Sequence, residues 1–146
     1  MRASTNSAGA TTGLLAAALL TAIGCGQPRD YAPVEGTVTL AGRPLSGVRV
    51  WFYPEAEGRE QPPYATGTTD AAGLYTLTAE TGKPGALVGK NRVVVNWPLP
   101  ERDPSKPPPR PPGPPIPILY TQAADTPLTV VVKPGPKQTI NVEIPK

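Results

Sequence analysis

Between Val34 and Leu40 the chain reads VEGTVTL, with Val34, Gly36, Val38 and Leu40 on one face and Glu35, Thr37 and Thr39 on the other. Alternation with a period of two is the pattern of a strand buried on one side. It restricts the chain to folds that cover one face of a sheet. The pattern returns at once: Val48, Val50 and Phe52 alternate with Arg49, Trp51 and Tyr53, and Pro54, which has no N–H to give to a ladder, closes the run. The intervening AGRPLSG supplies glycine for positive φ and a proline with preset φ. Val34 to Pro54 is therefore predicted as two strands joined by a turn.

Similar runs continue to the end of the chain. Tyr64 to Thr69 and Leu74 to Ala79 flank Asp70-Ala71-Ala72-Gly73, and Thr66 to Leu77 is predicted as a β-hairpin with Tyr75 and Leu77 facing inward. Asp70 is assigned to turn chemistry, where its carboxylate bonds its own backbone, and not to acid catalysis. Asn91 to Trp97 places Val93, Val95 and Trp97 on one face; Ile118-Leu119-Tyr120 re-enters the core; Leu128 to Val132 and Ile140 to Ile144 alternate again. The expectation is an all-β sandwich of about seven strands, immunoglobulin-like or prealbumin-like. No segment after residue 24 has a helical period.

Prolines and glycines, 22 and 15 of 146 residues, make up about a quarter of the chain. Half of the prolines sit in Pro98 to Pro117, where eleven of twenty residues are proline. That segment samples polyproline II and forms neither helix nor central strand. It reads as a stiff exposed loop between two strands; a ligand for aromatic-lined grooves of a partner, or a spacer pressing on the cell wall, are the other readings. Without it about 100 residues remain, the size of an immunoglobulin-like domain.

Upstream of Val34 the character changes. Arg2 precedes a polar run and then LLAAALLTAI, Leu14 to Ile23. Ten residues are too few to span a bilayer core, which takes about 20, and fit the central region of a secretory signal. Ala22-Ile23-Gly24-Cys25 resembles a bacterial lipobox; Gly24 and Cys25 match it, and Ala22 stands where leucine is usual. The resemblance implies a signal peptide over 1–24 and a lipidated Cys25 as the mature N-terminus. Two or three acyl chains, at about 0.8 kcal/mol per buried methylene, make attachment stable where one chain is marginal. The expected location is the bacterial cell envelope, on the outer side of a membrane, with inner and outer membrane undistinguished. The alternative for Cys25 is a small residue at a plain cleavage site. Cys25 is the single cysteine, so the chain forms no internal disulfide. Residues 25–33 read as a polar tether, and 34–146 as the domain.

Few chemistries remain open to the domain. The chain has no histidine, which removes the commonest general base and, with one cysteine, the usual zinc ligand sets. After the signal the chain has two serines, Ser46 in a turn and Ser105 in the proline segment, and neither has a base placed by spacing. Glu55, Glu57 and Glu60 are three carboxylates in a polar loop without a calcium-loop pattern. Gly85 to Lys90 misses the phosphate-loop spacing and is followed by Asn91 in place of Ser or Thr. The net charge of +3 comes from scattered residues, not a stripe, which argues against nucleic acid. No catalytic residue, metal site or cofactor is expected. Trp51, Tyr53 and Tyr64 are the candidates for ligand contact, carbohydrate or peptide; covering or packing the sheet is their ordinary alternative.

Val34-x-Gly36-x-Val38, Gly42-x-Pro44-Leu45-x-Gly47-Val48-x-Val50-x-Phe52 and Thr69-Asp70-x-x-Gly73-x-Tyr75-x-Leu77 together resemble the carboxypeptidase regulatory-like domain, a transthyretin-like (prealbumin-like) β-sandwich. Tyr120 followed by Thr126-Pro127-Leu128-Thr129-Val130 and Lys133-Pro134-Gly135 resembles small lipoproteins of planctomycete-type bacteria built on it. The resemblance implies a non-catalytic accessory, adhesive or stabilising module; the expected role is structural or protein interaction at the envelope, with cell-wall or surface proteins as the expected partners. It rests on strand and turn residues, so it implies a fold and leaves the ligand open.

Overall fold

The computed structural model describes residues 29–56, 58 and 60–146. The expected signal over 1–24 and the expected lipidation site Cys25 lie outside these residues, as do Glu57 and Arg59. Among the described residues twelve strand segments follow one another: β1 Tyr31–Ala32, β2 Val34–Leu40, β3 Arg43–Pro44, β4 Arg49–Pro54, β5 Ala65–Thr68, β6 Leu74–Thr76, β7 Thr78–Ala79, β8 Ala86–Leu87, β9 Gly89–Asn96, β10 Thr129–Val132, β11 Gln138–Thr139 and β12 Val142–Ile144. A 3-10 turn, Ile118–Tyr120, lies between β9 and β10. Each of the seven predicted runs carries strand. The larger number arises because one run breaks in two and short pieces, β1, β3, β8 and β11, pair at the margins.

The molecule is a β-sandwich. One sheet has the antiparallel order β10-β9-β4-β5-β7. The other is built on β2, with β6 and β3 antiparallel to it and β11 and β12 parallel to it. Val34 and Val38 of β2, Tyr75 of β6 and Val142 and Ile144 of β12 are buried against Val50 and Phe52 of β4, Val93 and Val95 of β9 and Val132 of β10. The Phe52 and Tyr75 rings meet at 6.2 Å with planes tilted by 51°, a cross-sheet aromatic contact. Tyr75 carries its hydroxyl through the core and donates to the Ile140 carbonyl at 2.6 Å.

Two predicted strand–turn–strand units do not pair across their turns. β2 and β4 do not pair. Ala41 and Gly42, both at positive φ, turn the chain back so that Arg43–Pro44 pairs with Thr39 and Leu40. Leu45 is then buried, and Gly47, at φ 78°, carries the chain to the opposite sheet. The predicted turn spans the two sheets as an arch because its seven residues hold a tight turn and a crossing. The Asp70–Gly73 turn forms as expected, with Asp70 Oδ1 accepting from the N–H groups of Ala72 and Leu74 at 2.8 and 2.9 Å. Its two arms part, however: β5 pairs with β4 and β7, whereas β6 pairs with β2. The break is at Leu77, fully buried, where a single extended run leaves one sheet and joins the other. Such corners are how strands switch sheets.

The ordered domain also begins earlier than Val34. β1, from the segment expected as tether, pairs with β8 through Tyr31↔Leu87 and Ala32↔Ala86. Ile118 and Leu119 are exposed, so of the segment expected to re-enter the core only Tyr120 does so.

Candidate aromatic face and the Trp97 cleft

Odd-numbered residues of β4 point away from the core. Arg49, Trp51 and Tyr53 therefore stand in a row on the outer face of the first sheet, and register sets their neighbours: Trp51 lies opposite Thr66 and Val94, and Tyr53 opposite Arg92. Tyr64, just before β5, completes a cluster. Trp51 and Tyr53 are nearly parallel, 9° apart with centroids at 6.1 Å; Tyr64 tilts against them at 5.2 Å from Trp51 and 5.8 Å from Tyr53. All three are half-buried. The structure thus brings together the three residues singled out as ligand-contact candidates. They cover the sheet and pack on one another, and they keep part of each ring at the surface.

Polar groups border the rings. Trp51 Nε1 donates to Asn96 Oδ1 at 3.3 Å, and the Arg49 guanidinium lies 5.7 Å from the Trp51 ring centroid, within cation–π range. Partial burial, and then the neighbouring Tyr64, push the Tyr53 phenol above its ordinary value. At the Tyr53 end a cleft of about 460 Å³ opens, lined by Glu55, Gln61, Arg92, Ala123 and Ala124. Glu55 pairs with Lys90 at 3.0 Å and Arg92 at 3.4 Å, and the hydrogen bond from Lys90 leads in holding its carboxyl below the usual range. Arg92 also donates through Nη1 to the Ala123 carbonyl at 3.1 Å. Ring faces beside a paired carboxylate and guanidinium can take a flat, partly apolar, hydroxyl-rich or amide-bearing ligand. Arg49, Asn96 and Arg92 were not singled out from sequence, though two-residue parity from Trp51 places Arg49 on the same face; Glu55 was weighed only as a loop carboxylate for calcium.

Of the loop carboxylates, the two that are described are both paired. Glu55 faces Lys90 and Arg92, and Glu60 faces Arg29 at 3.5 Å. Ser105 Oγ donates to Asp103 Oδ1 at 2.7 Å within an exposed turn of the proline segment, and the Ser105 hydrogen bonds hold the Asp103 carboxyl low. Ser46 lines a second cleft.

That second cleft, about 840 Å³, lies between the sandwich and the returning proline segment, with Leu40, Pro44, Leu45 and Trp97 on one wall and Pro114 and Pro115 on the other. Trp97 Nε1 donates to the Pro114 carbonyl at 3.0 Å. Gly113 lies so close to the indole that a Cβ there would run into the ring. The expectation of an exposed loop holds for Pro98 to Pro108; from Gly113 to Pro117 the segment is a strap against Trp97, with Ile116 packed on the core.

No protein-family model, curated protein or solved structure matches the chain. Among the described residues no helix is long and apolar enough to cross a membrane.

Proposed function

We propose that this chain is a non-catalytic, lipid-anchored module of the bacterial cell envelope, held through Cys25 on the outer side of a membrane, and that its work is contact with wall or surface proteins. The convergence of Trp51, Tyr53 and Tyr64 on the outer face of the first sheet carries the contact part of this reading. Tryptophan and tyrosine are the side chains that most often anchor protein contacts. The Ala22-Ile23-Gly24-Cys25 resemblance supports the anchor, and the strand and turn pattern supports a carboxypeptidase regulatory-like, transthyretin-like module, to which a β-sandwich conforms. Feeding cells a fatty-acid analogue tests the anchor: label on the wild-type protein, and neither label nor membrane fractionation for Cys25→Ser, is the expected result. Equal labelling of both sinks it. For the contact face, Trp51→Ala with Tyr64→Ala is expected to empty a cross-linked pull-down from the envelope.

A second reading has its own observation. The cleft beside Tyr53, with Glu55, Gln61 and Arg92 on its walls, has the size of a small-ligand site. It suits a carbohydrate or a short peptide. Saturable binding on a glycan array, abolished by Trp51→Ala, would favour this reading over protein contact.

A further inference from the structure

The proline strap is held by the two contacts that recognition of polyproline segments uses elsewhere: an indole N–H donating to a proline-segment carbonyl, and an aromatic ring packed against the extended chain. Here the indole is Trp97 and the carbonyl is that of Pro114. The packed residue is Gly113, where no side chain fits. The strap does not fill the groove it enters. A cleft of about 840 Å³ remains beside it, walled by Leu40, Pro44 and Leu45, and Gly47 also approaches the indole, its would-be Cβ 3.9 Å from the ring. The part of the segment before Gly113 lies out in solvent and makes its own turn through Asp103, Ser105 and Lys106. Only the strap itself is seated.

We propose that the Trp97 groove is a binding site for an extended proline-rich segment of another chain, and that Gly113 to Pro117 is its resident ligand, supplied in cis. A tethered ligand acts at an effective concentration in the millimolar range. An incoming segment therefore wins only by making contacts the strap does not make, and the unfilled wall of Leu40, Pro44 and Leu45 offers them. The site is separate from the aromatic face on β4 and does not depend on that reading.

The chain has two tryptophans, so Trp51→Phe leaves Trp97 as the single indole reporter. Gly113→Ala, added to it, places a methyl against the ring and expels the strap. The expected result is a red shift of Trp97 emission, followed by saturable titration of the synthetic peptide RPPGPPIP (residues 110–117). Its affinity should be at least tenfold higher than for the protein with its strap seated, and the emission should return to the blue on binding. Trp97→Phe should abolish binding measured by calorimetry. A second protein, with 98–117 replaced by a Gly-Ser linker of equal length, repeats the titration should Gly113→Ala disturb folding. Unchanged emission on Gly113→Ala overturns the proposal, as does an emptied groove that binds no peptide up to millimolar concentration, or binding that survives Trp97→Phe. Dimers of the Gly113→Ala protein in sedimentation, without peptide binding, would make a second copy of the chain the occupant and equally overturn it.

Discussion

Single residues show where backbone shape and where side-chain chemistry decide. Gly36 sits in β2 with ordinary φ, yet a Cβ there would strike the Ile140 carbonyl oxygen and crowd the Tyr75 ring. Gly36→Ala is thus expected to destabilise the fold by about 3 kcal/mol, in the upper range for single substitutions, read from the midpoint of a urea unfolding curve. The Ile140 carbonyl also accepts the Tyr75 hydroxyl, so Tyr75→Phe leaves it short of a partner at a cost of about 1–2 kcal/mol. Burial pushes the Tyr75 phenol far above its ordinary value of 10.0. The folded state therefore holds this proton more tightly than the unfolded chain. The stability it contributes is complete below pH 10, declines above it as the unfolded chain ionises, and goes on declining until the folded phenol itself ionises. Unfolding curves taken from pH 8 to 11 should show that decline in the wild type and a shallower one in Tyr75→Phe. The residue identities on the inner face were legible from sequence because parity alone sets them: Val34, Val38, Val50, Phe52, Tyr75, Leu77, Val93 and Val95 are all buried. The partner of the Tyr75 hydroxyl was not, since it lies 65 residues away.

Elements were legible as strands, and their pairing was not. Hydrophobic alternation reports which face of a strand is covered and is silent about which strand lies beside it. VEGTVTL and VRVWFYP are good strands joined by a good turn, and they still enter different sheets, because Leu45 and Gly47 give the connection a buried anchor and a crossing. The Asp70 turn shows the same limit: its local hydrogen bonds follow from Asp and Gly, whereas the parting of its arms depends on Leu77. There the Leu77 N–H donates to the Val34 carbonyl at 3.0 Å while its own carbonyl accepts from Gly85 at 2.8 Å. Leu77→Ala should cost about 2–5 kcal/mol, as for other buried leucines. Hydrogen exchange should show β6 and β7 losing protection together, since one side chain holds both to their separate sheets. The aromatic cluster lies midway between these cases. Parity puts Trp51 and Tyr53 outward, but only the β4–β5 register brings Tyr64 and Thr66 beside them. The Trp97 groove had no signal in the sequence beyond the proline segment itself, because the indole meets Pro114 only once the loop has returned.

At the scale of the whole molecule, the sandwich is closed by its last residues. Val142 and Ile144 are buried, and β11 and β12 make up the entire parallel flank of β2. Asn141 reinforces the join, accepting from both the N–H and the hydroxyl of Thr37, 104 residues earlier. Each buried aliphatic side chain contributes about 1.5–3 kcal/mol, and a domain holds only about 5–15 kcal/mol in total. Removing residues 138–146 is accordingly expected to abolish the cooperative thermal transition by circular dichroism. Removing the proposed anchor, by contrast, should leave the melting temperature of the domain unchanged, because β1 begins six residues after Cys25 and pairs with β8. The tie between β2 and β12 also has a kinetic meaning. Closing a loop of about a hundred residues is entropically slow, and contacts of such separation delay folding. β2, synthesised early, waits unpaired on one side until the C-terminal strands arrive. Until β11 and β12 have been made, the sheet built on β2 is incomplete. If the chain is exported as proposed, such a delay would let it cross a secretion channel before its sandwich becomes rigid.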